Sequence, residues 1–492
     1  MASSDTPAPT LLWFRNDLRL DDNPALRTAL ETPAPVVALF VLEEDEQGAA
    51  GPRPLGGAAR WWLHRSLTAL AADLERHAIP LVLRRGRAED IVPEVVGETG
   101  AARVVWNRRY DGGGIAVDSA LKSRLKADGI AVDSFNGSLL LEPWEVKTGA
   151  GEPYKVFTPF WRAARAAGDP APPRDAPSAN PERLRVSAPP GEALDDWDLL
   201  PTKPDWAGGL RDTWTPGEAG ARDRLEAFLD DRLARYAGER DLPGAEATSM
   251  LSPHLRFGEI SPRRIWAAAA HRAADDDRIS DRQLSKFQAE LGWREFSNHL
   301  LFHFPDLGRE NFQPKFDAFP WRDDPDGLRA WQKGQTGYPF VDAGLRELWA
   351  TGYMHNRVRM VVASFLVKHL MIDWRAGEAW FWDTLVDADP ANNTASWQWV
   401  AGSGADAAPY FRIFNPTTQG EKFDPEGDYT RRWVPELADL PKKYLYKPQE
   451  APREILERAG IRLGETYPRP IVDHSRARQR ALDAFQTTKT AA

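Results

Sequence analysis

The sequence predicts a two-part fold. An N-terminal Rossmann-like α/β domain with a parallel sheet is joined by a long connector to a C-terminal all-helical domain. Three observations carry this. Strand-like apolar runs alternate with helically spaced segments over the first 140 residues. A proline-rich stretch with little periodicity follows. From about Glu218 onward apolar residues recur at intervals of three and four, and strand signals almost vanish.

In the first part, LLWFR (11–15), VVALFVL (36–42), PLVLRR (80–85), RVVWN (103–107) and IAVDSF (130–135) read as buried strands. Segments 59–77 and 115–127 have helical spacing between them. Short apolar strands alternating with helices predict parallel pairing through right-handed crossovers. No GxGxxG opens any of these helices, so a dinucleotide site of the usual kind is not indicated. The run Gly112–Gly114 reads as a flexible turn. Between Gly168 and Pro216 stand Pro170, Pro172, Pro173, Pro177, Pro181, Pro189, Pro190, Pro201 and Pro204, as expected of a connector crossing the surface. Helices are then expected over 221–237, 262–274, 281–302, 341–351, 356–369, 377–386 and 396–400. The domain limits expected are 1–140, 141–217 and 218–492.

Composition narrows the function. The chain of 492 residues has no cysteine, which excludes a disulfide scaffold, thiol catalysis and cysteine-ligated clusters. The opening MASSDTPAPT lacks the regions of a signal peptide, and the apolar run 360–367, bounded by Arg359 and Lys368, is too short for a bilayer. A net charge of −9 argues against coating nucleic acid by bulk charge but leaves room for a local basic face. There are 20 tryptophans, nine of them between Trp293 and Trp399; the plain reading is a tryptophan-rich core.

Four segments could carry chemistry. Hydroxyls cluster in Thr248-Ser249-Met250-Leu251-Ser252 ahead of a helix, a natural phosphate cradle that taken alone reads first as a capping motif. Glu290 sits on a helix with Phe287 at i−3, Trp293 at i+3 and Arg294 at i+4. It reads either as a carboxyl raised by burial into a hydrogen-bond donor or as half of a Glu290–Arg294 pair. Asn356 and Arg359 share a helical face while Arg357 points elsewhere, and two surface arginines is the competing reading. Asp389 precedes Pro390 as a helix cap, in a segment running from Asp387 to Asn393 that could also present carboxylate and amide groups to a heterocycle. His299 and His303 are spaced i, i+4, but no third metal ligand accompanies them.

Taken together these segments resemble the photolyase/cryptochrome family along nearly the whole chain. The resemblance opens with LWFRNDLRLDDNPAL (12–26). It continues through WREF (293–296), TGYPFVDAGLREL (336–348), GYMHNRVRM (352–360), LVDADPANN (385–393), WQW (397–399) and RIFNPTTQGEKFD (412–424). It implies FAD in the helical domain, and either DNA repair or blue-light reception. By the resemblance, Thr248, Ser249, Met250, Leu251 and Ser252 hold the pyrophosphate, with Tyr236 nearby. Arg359 and Asp387 pair beside the isoalloxazine, Asp389 meets its polar edge and Asn393 faces N5. Phe287, Glu290, Arg294 and Asn356 complete the cofactor-facing set. Trp397, Trp374 and Trp321 match the family's electron-transfer chain.

The resemblance also implies how DNA is met. A pyrimidine dimer leaves the duplex and enters a pocket against the flavin. Trp293 and Trp399 stack on it, Glu290 and Asn356 bond its bases, and Arg240, Arg357, Met360 and Arg412 line the pocket or meet the backbone.

Within the family, LRELWAT (345–351) and FDPEGDYTRRWVPEL (423–437) look like plant cryptochromes and their bacterial sister photolyases, class III, alongside class I motifs. Three features favour a cyclobutane-dimer photolyase over the alternative, a cryptochrome-type receptor without repair. Trp293 keeps an aromatic that plant receptors lack. Asn393 replaces their aspartate. The chain ends soon after the helical domain. Asn356 stands where the (6-4) branch has histidine, and the absence of cysteine excludes the iron–sulfur branch. A dark flavoprotein oxidoreductase would need a nicotinamide signature, which is missing. The implied antenna pigment is methenyltetrahydrofolate ahead of a deazaflavin, although the folate-contacting glutamate of some members falls in Gly112–Gly114, where no acid stands. The expected setting is a monomer in a bacterial cytoplasm, acting on dimer-containing DNA of the nucleoid, with no membrane partner.

Overall fold

The computed structural model describes residues 7–44, 53–406 and 411–490. The first six residues, on which the signal-peptide reading turned in part, lie outside them. Five strands, β1 (Thr10–Phe14), β2 (Val36–Leu42), β3 (Leu81–Arg85), β4 (Arg103–Asn107) and β5 (Ala131–Phe135), form one parallel sheet in the order β3-β2-β1-β4-β5. β1 and β2 are buried along their whole length, which is why their sequences are continuous apolar runs rather than alternating ones. Alternation shows in the third dimension. Leu12 and Phe14 join Trp61 and Trp62 on one face of the sheet, whereas Leu11 and Trp13 join Trp106 and Val92 on the other.

Four helices cover the two faces: α1 (Pro24–Leu30), α2 (Gly57–Glu75), α3 (Ala88–Thr99) and α4 (Gly112–Ala127). Gly112–Gly114 is therefore the first turn of α4 and not a flexible turn. The Asp111 carboxylate accepts from Gly114 N at 2.8 Å and supplies the missing start signal, and a Cβ at position 114 would meet Arg109 Cβ at 2.6 Å.

Within the stretch read as connector, a ten-residue helix α5 (Phe157–Ala166) lies against the helix Asp281–His303. The prolines from 170 to 190 do run over the surface. Past them the chain returns to the core: Glu192 N donates to Leu83 O, and Trp197 is fully buried against Phe40. Apolar Trp197, Leu199, Leu210 and Trp214 account for that return, since burying them outweighs leaving the segment in solvent.

The remainder is helical. Pro339–Thr351, Asn356–Ser364 with Phe365–Leu370, Trp374–Thr384 and Pro390–Ala401 all contribute to its main core cluster. The expected helix over 356–369 is α-helical only from Asn356 to Ser364 and continues as a π-helical turn, Phe365–Leu370. Buried polar knots join the two parts. Glu259 accepts from Trp62 Nε1 at 2.9 Å and Gly217 N at 2.8 Å while facing His254. Arg19, in the LWFRNDLRLDD segment, donates to Gly258 O and Gly137 O.

Candidate active site

A cavity of about 580 Å³ opens in the helical part between Asp281–His303, Asn356–Ser364, Pro390–Ala401 and the short helix Ser252–Arg256. Its floor is built around one carboxylate. Asp387 Oδ2 accepts from Arg359 Nη2 at 2.8 Å and from Ser252 Oγ at 2.6 Å, while its buried Oδ1 has no partner. Burial opposes the Arg359 charge, but Asp387, with Tyr353 and Glu347 behind it, raises the guanidinium pKa on balance. The Ser252–Arg256 helix has no side-chain cap, so the hydroxyl cluster is not the plain capping motif that was the first reading. Ser249, Leu251 and Ser252 line the cavity. Thr248 and Met250 do not. Met250 has φ +52, and its Sδ lies 3.7 Å from Arg224 Nη1, away from the cavity.

Asp389 is a helix cap: its Oδ1 accepts from Ala391 N and Asn392 N, at 3.0 and 2.7 Å. It also borders the cavity, as does buried Asn393, whose Nδ2 donates to Glu378 Oε1 at 2.8 Å. Phe287 and Tyr236 meet edge-on at 5.5 Å and form an aromatic wall.

The open side holds Glu290, Trp293, Asn356, Met360 and Trp399. Glu290 does not pair with Arg294. It accepts from Arg240, whose guanidinium it helps to hold charged against burial, so it stands as an acceptor where the burial reading made it a donor. Arg294 also borders the cavity, but its guanidinium donates to Ser138 O at 2.7 Å and to Glu295 Oε1 at 3.3 Å. Arg357 does not point elsewhere: it borders the same cavity, pairs with Asp241 at 2.9 Å and lies over the Phe423 ring. Arg412 lies outside the lining, over Phe414 at 5.9 Å.

Of the three singled-out tryptophans, Trp397 and Trp374 are buried and Trp321 is partly exposed. Trp397 borders the cavity and its buried Nε1 has no partner. Trp374 is fully buried in the same core cluster, donating to Asn311 Oδ1 at 2.9 Å, and Trp321 packs on that cluster from a partly exposed position. His299 and His303 are committed elsewhere. Both rings face Pro143 O at 3.2 Å, and His299 Nε2 accepts from Tyr154 N. Among the described residues no three His, Cys, Asp or Glu side chains converge as metal ligands, and no helix is long and apolar enough to cross a membrane.

Sequence reasoning missed residues that hold these groups in place. Glu295 accepts from Leu140 N, Leu141 N and Arg294. Away from the cavity, Asp342 gathers Thr336, Gly337 and Tyr467. Phe157 stacks on Trp293. Their signal was present only as unexplained polar or aromatic letters inside the motifs, or in the connector.

A second cavity of about 770 Å³ lies between the two parts, bordered by Glu43, Arg53, Arg109, Gly113, Arg375 and Trp382.

Comparison with known proteins agrees with this arrangement. Two family profiles match, one described as DNA photolyase over residues 10–179, the other as the FAD binding domain of DNA photolyase over residues 287–487. The chain is 55% identical to a deoxyribodipyrimidine photo-lyase of Agrobacterium fabrum, over 98% of each chain. It is 38% identical to cryptochrome-1 of Arabidopsis thaliana over 97% of this chain and 70% of that one. The crystal structure of a bacterial class III photolyase from Agrobacterium tumefaciens superposes with a TM-score of 0.94 at 55% identity, covering 100% of this chain and 99% of that one.

Proposed function

Because the chain belongs to the photolyase/cryptochrome family, we propose that it is a deoxyribodipyrimidine photo-lyase. It uses light and FAD to split cyclobutane pyrimidine dimers in DNA. The observation that carries this reading is the two-sided cavity: a polar floor at Asp387, Arg359 and Ser252, and an open rim at Glu290, Trp293, Asn356 and Trp399. The floor fits a flavin. Asp387 Oδ1 is a buried acceptor awaiting a donor, and Trp397 Nε1 is a buried donor awaiting an acceptor. Bound FAD supplies the light-driven electron that breaks the dimer.

The protein's own residues bind and orient. Ser249 and Ser252 would hold the pyrophosphate, Arg359 would offset negative charge at the ring, and Asn393, whose Nδ2 is held by Glu378, would present its amide oxygen to it. Trp293 and Trp399 offer faces for stacking a flipped dimer. Glu290, an acceptor, suits the ring N–H of thymine, and Asn356 suits its carbonyls. Trp397, Trp374 and Trp321 give an oxidisable route from the surface to the floor. Arg240 and Arg357 stand at the rim already paired with Glu290 and Asp241, so they would meet phosphate through their remaining N–H groups and not as free charges.

The antenna belongs to the same reading. A folate-class pigment would have the interdomain cavity as its seat, where Arg53 lies over the Trp382 ring at 4.2 Å; Arg109 and Arg375, which also border it, are paired with Glu43 and Asp373. Trp382→Ala should lose folate binding if this is the seat. Loss in Trp349→Ala instead moves it to the exposed Trp349–Trp380 pair, whose rings are parallel within 3°.

The deciding experiment is blue-light repair of an oligonucleotide carrying one defined thymine dimer, with reductant and FAD-loaded protein. Restoration of the two thymines is expected. A flavin-loaded protein that leaves the dimer intact is a receptor, and the repair reading is then wrong.

A further inference from the structure

We propose that Phe157, on α5, is a positioning residue for lesion recognition: with Trp161 it clamps the Gly292–Trp293 step and so fixes the indole that faces the cavity. This rests on the repair reading above. Trp293 is 37% exposed, too open for its own helix to hold one rotamer. Phe157 lies flat on it, ring centroids 3.7 Å apart and planes within 10°. One indole face is thereby taken, and a base stacking on Trp293 must use the other.

The clamp has a second jaw. Trp161, one helical turn after Phe157, stacks on it at 6.2 Å and presses on Gly292 so closely that a Cβ there would stand 2.6 Å from the indole. Glycine immediately before Trp293 is thus required by α5. Phe157 is itself held from two sides. Its ring packs edge-on against Phe296 at 5.9 Å, and its backbone N donates to Asp406 Oδ2 at 2.9 Å. Asp406 borders the same cavity, just beyond the helix that carries Trp397 and Trp399. One residue therefore ties the Trp293 wall to the Trp399 wall. A pre-set indole binds without first losing rotamer freedom, which raises affinity for a flipped dimer but not for undamaged duplex.

The test compares parent, Phe157→Ala, Phe157→Leu and Phe157→Tyr, all FAD-loaded. Binding is measured with a dimer-containing oligonucleotide and with the same sequence undamaged. Affinity for the dimer should fall about fivefold in the Ala and Leu variants, the worth of one aromatic stack. It should return in Phe157→Tyr, which keeps the flat face. Binding of undamaged DNA, flavin absorbance and repair per photon of bound dimer should not move. Parental dimer affinity in Phe157→Leu overturns the proposal, as does equal weakening for damaged and undamaged DNA. If Phe157→Ala fails to load FAD, the Leu–Tyr pair still decides. A parent that does not prefer the dimer overturns the repair reading before any variant is made, and the positioning role with it.

Discussion

Trp397 occupies the space in which a side chain at position 377 would lie: a Cβ on Gly377 would stand 2.1 Å from the indole. The helices Trp374–Thr384 and Pro390–Ala401 meet through this glycine, which lets Trp397 reach from the core to the cavity wall.

Alanine in a helix normally gains about 1 kcal/mol over glycine. Here the sign should reverse. Gly377→Ala forces Trp397 aside and should cost about 1–3 kcal/mol through overpacking. Light-driven flavin reduction should slow in the same variant, as it should in Trp397→Phe, while repair by already reduced enzyme persists. Thermal melting and photoreduction rates check this; a Gly377→Ala protein as stable as the parent removes the steric argument.

Asp387 is shared by Arg359 and Ser252, so removing it strands both. Asp387→Ala should release FAD, with affinity at least about tenfold weaker, because a partly buried guanidinium is left without its counter-charge. Asp387→Asn keeps an acceptor for Ser252 and should bind between the two. The measurement is flavin per protein after dialysis. Full flavin content in Asp387→Ala would place the cofactor elsewhere.

Glu290 and Arg240 pair at the rim, apart from the floor. Glu290→Ala should leave flavin content intact and lower repair about tenfold, the worth of one charge-assisted hydrogen bond. Arg240→Ala should weaken DNA binding and flatten its salt dependence. Equal repair by parent and Glu290→Ala would remove Glu290 from the chemistry.

Much of this was legible because physics left it local. The runs of β1 and β2 are uniformly apolar because both faces of the sheet are covered, and the three-and-four spacing of the helical part reflects one buried face per helix. What stayed hidden depends on distant partners. Glu290 could have bonded Arg294 four residues on, but Arg240, fifty residues back, takes it. Arg357 could have pointed away from Asn356, but Asp241 and Phe423 draw it to the same cavity. Gly112–Gly114 reads as a turn until Asp111 caps it. The α5 clamp was missed because its aromatics face Gly292 and Trp293, more than a hundred residues away, and its flanking prolines mark a connector.

Glu295, in the WREF segment, fastens the start of the connector to the helix that bears Glu290 and Trp293, and it does so from a site only 3% exposed. Burial pushes its carboxyl up to about 7, against the pull of Arg294 and of the Leu141 and Leu140 N–H groups. The folded protein thus holds a proton more tightly than the unfolded chain, whose carboxyl titrates near 4.5. Below that value both states are protonated, and above about 7 both are ionised. Stability should therefore fall as pH rises between them, by about 3 kcal/mol from this group. Glu347, also raised to about 7 by burial, acts with the same sign. Neutral buried His299 and His369, lowered to about 4 and about 3, act oppositely by losing stability as pH falls below the ordinary histidine value. The sum is thus uninformative, but a difference is not. In denaturant melts at pH 5 and pH 8, Glu295→Gln should remove the Glu295 share while leaving the histidine share in place. Identical pH slopes in parent and Glu295→Gln would mean that Glu295 is solvated or ionised throughout, and that something other than its buried carboxyl ties Leu140 to the cavity-bearing helix.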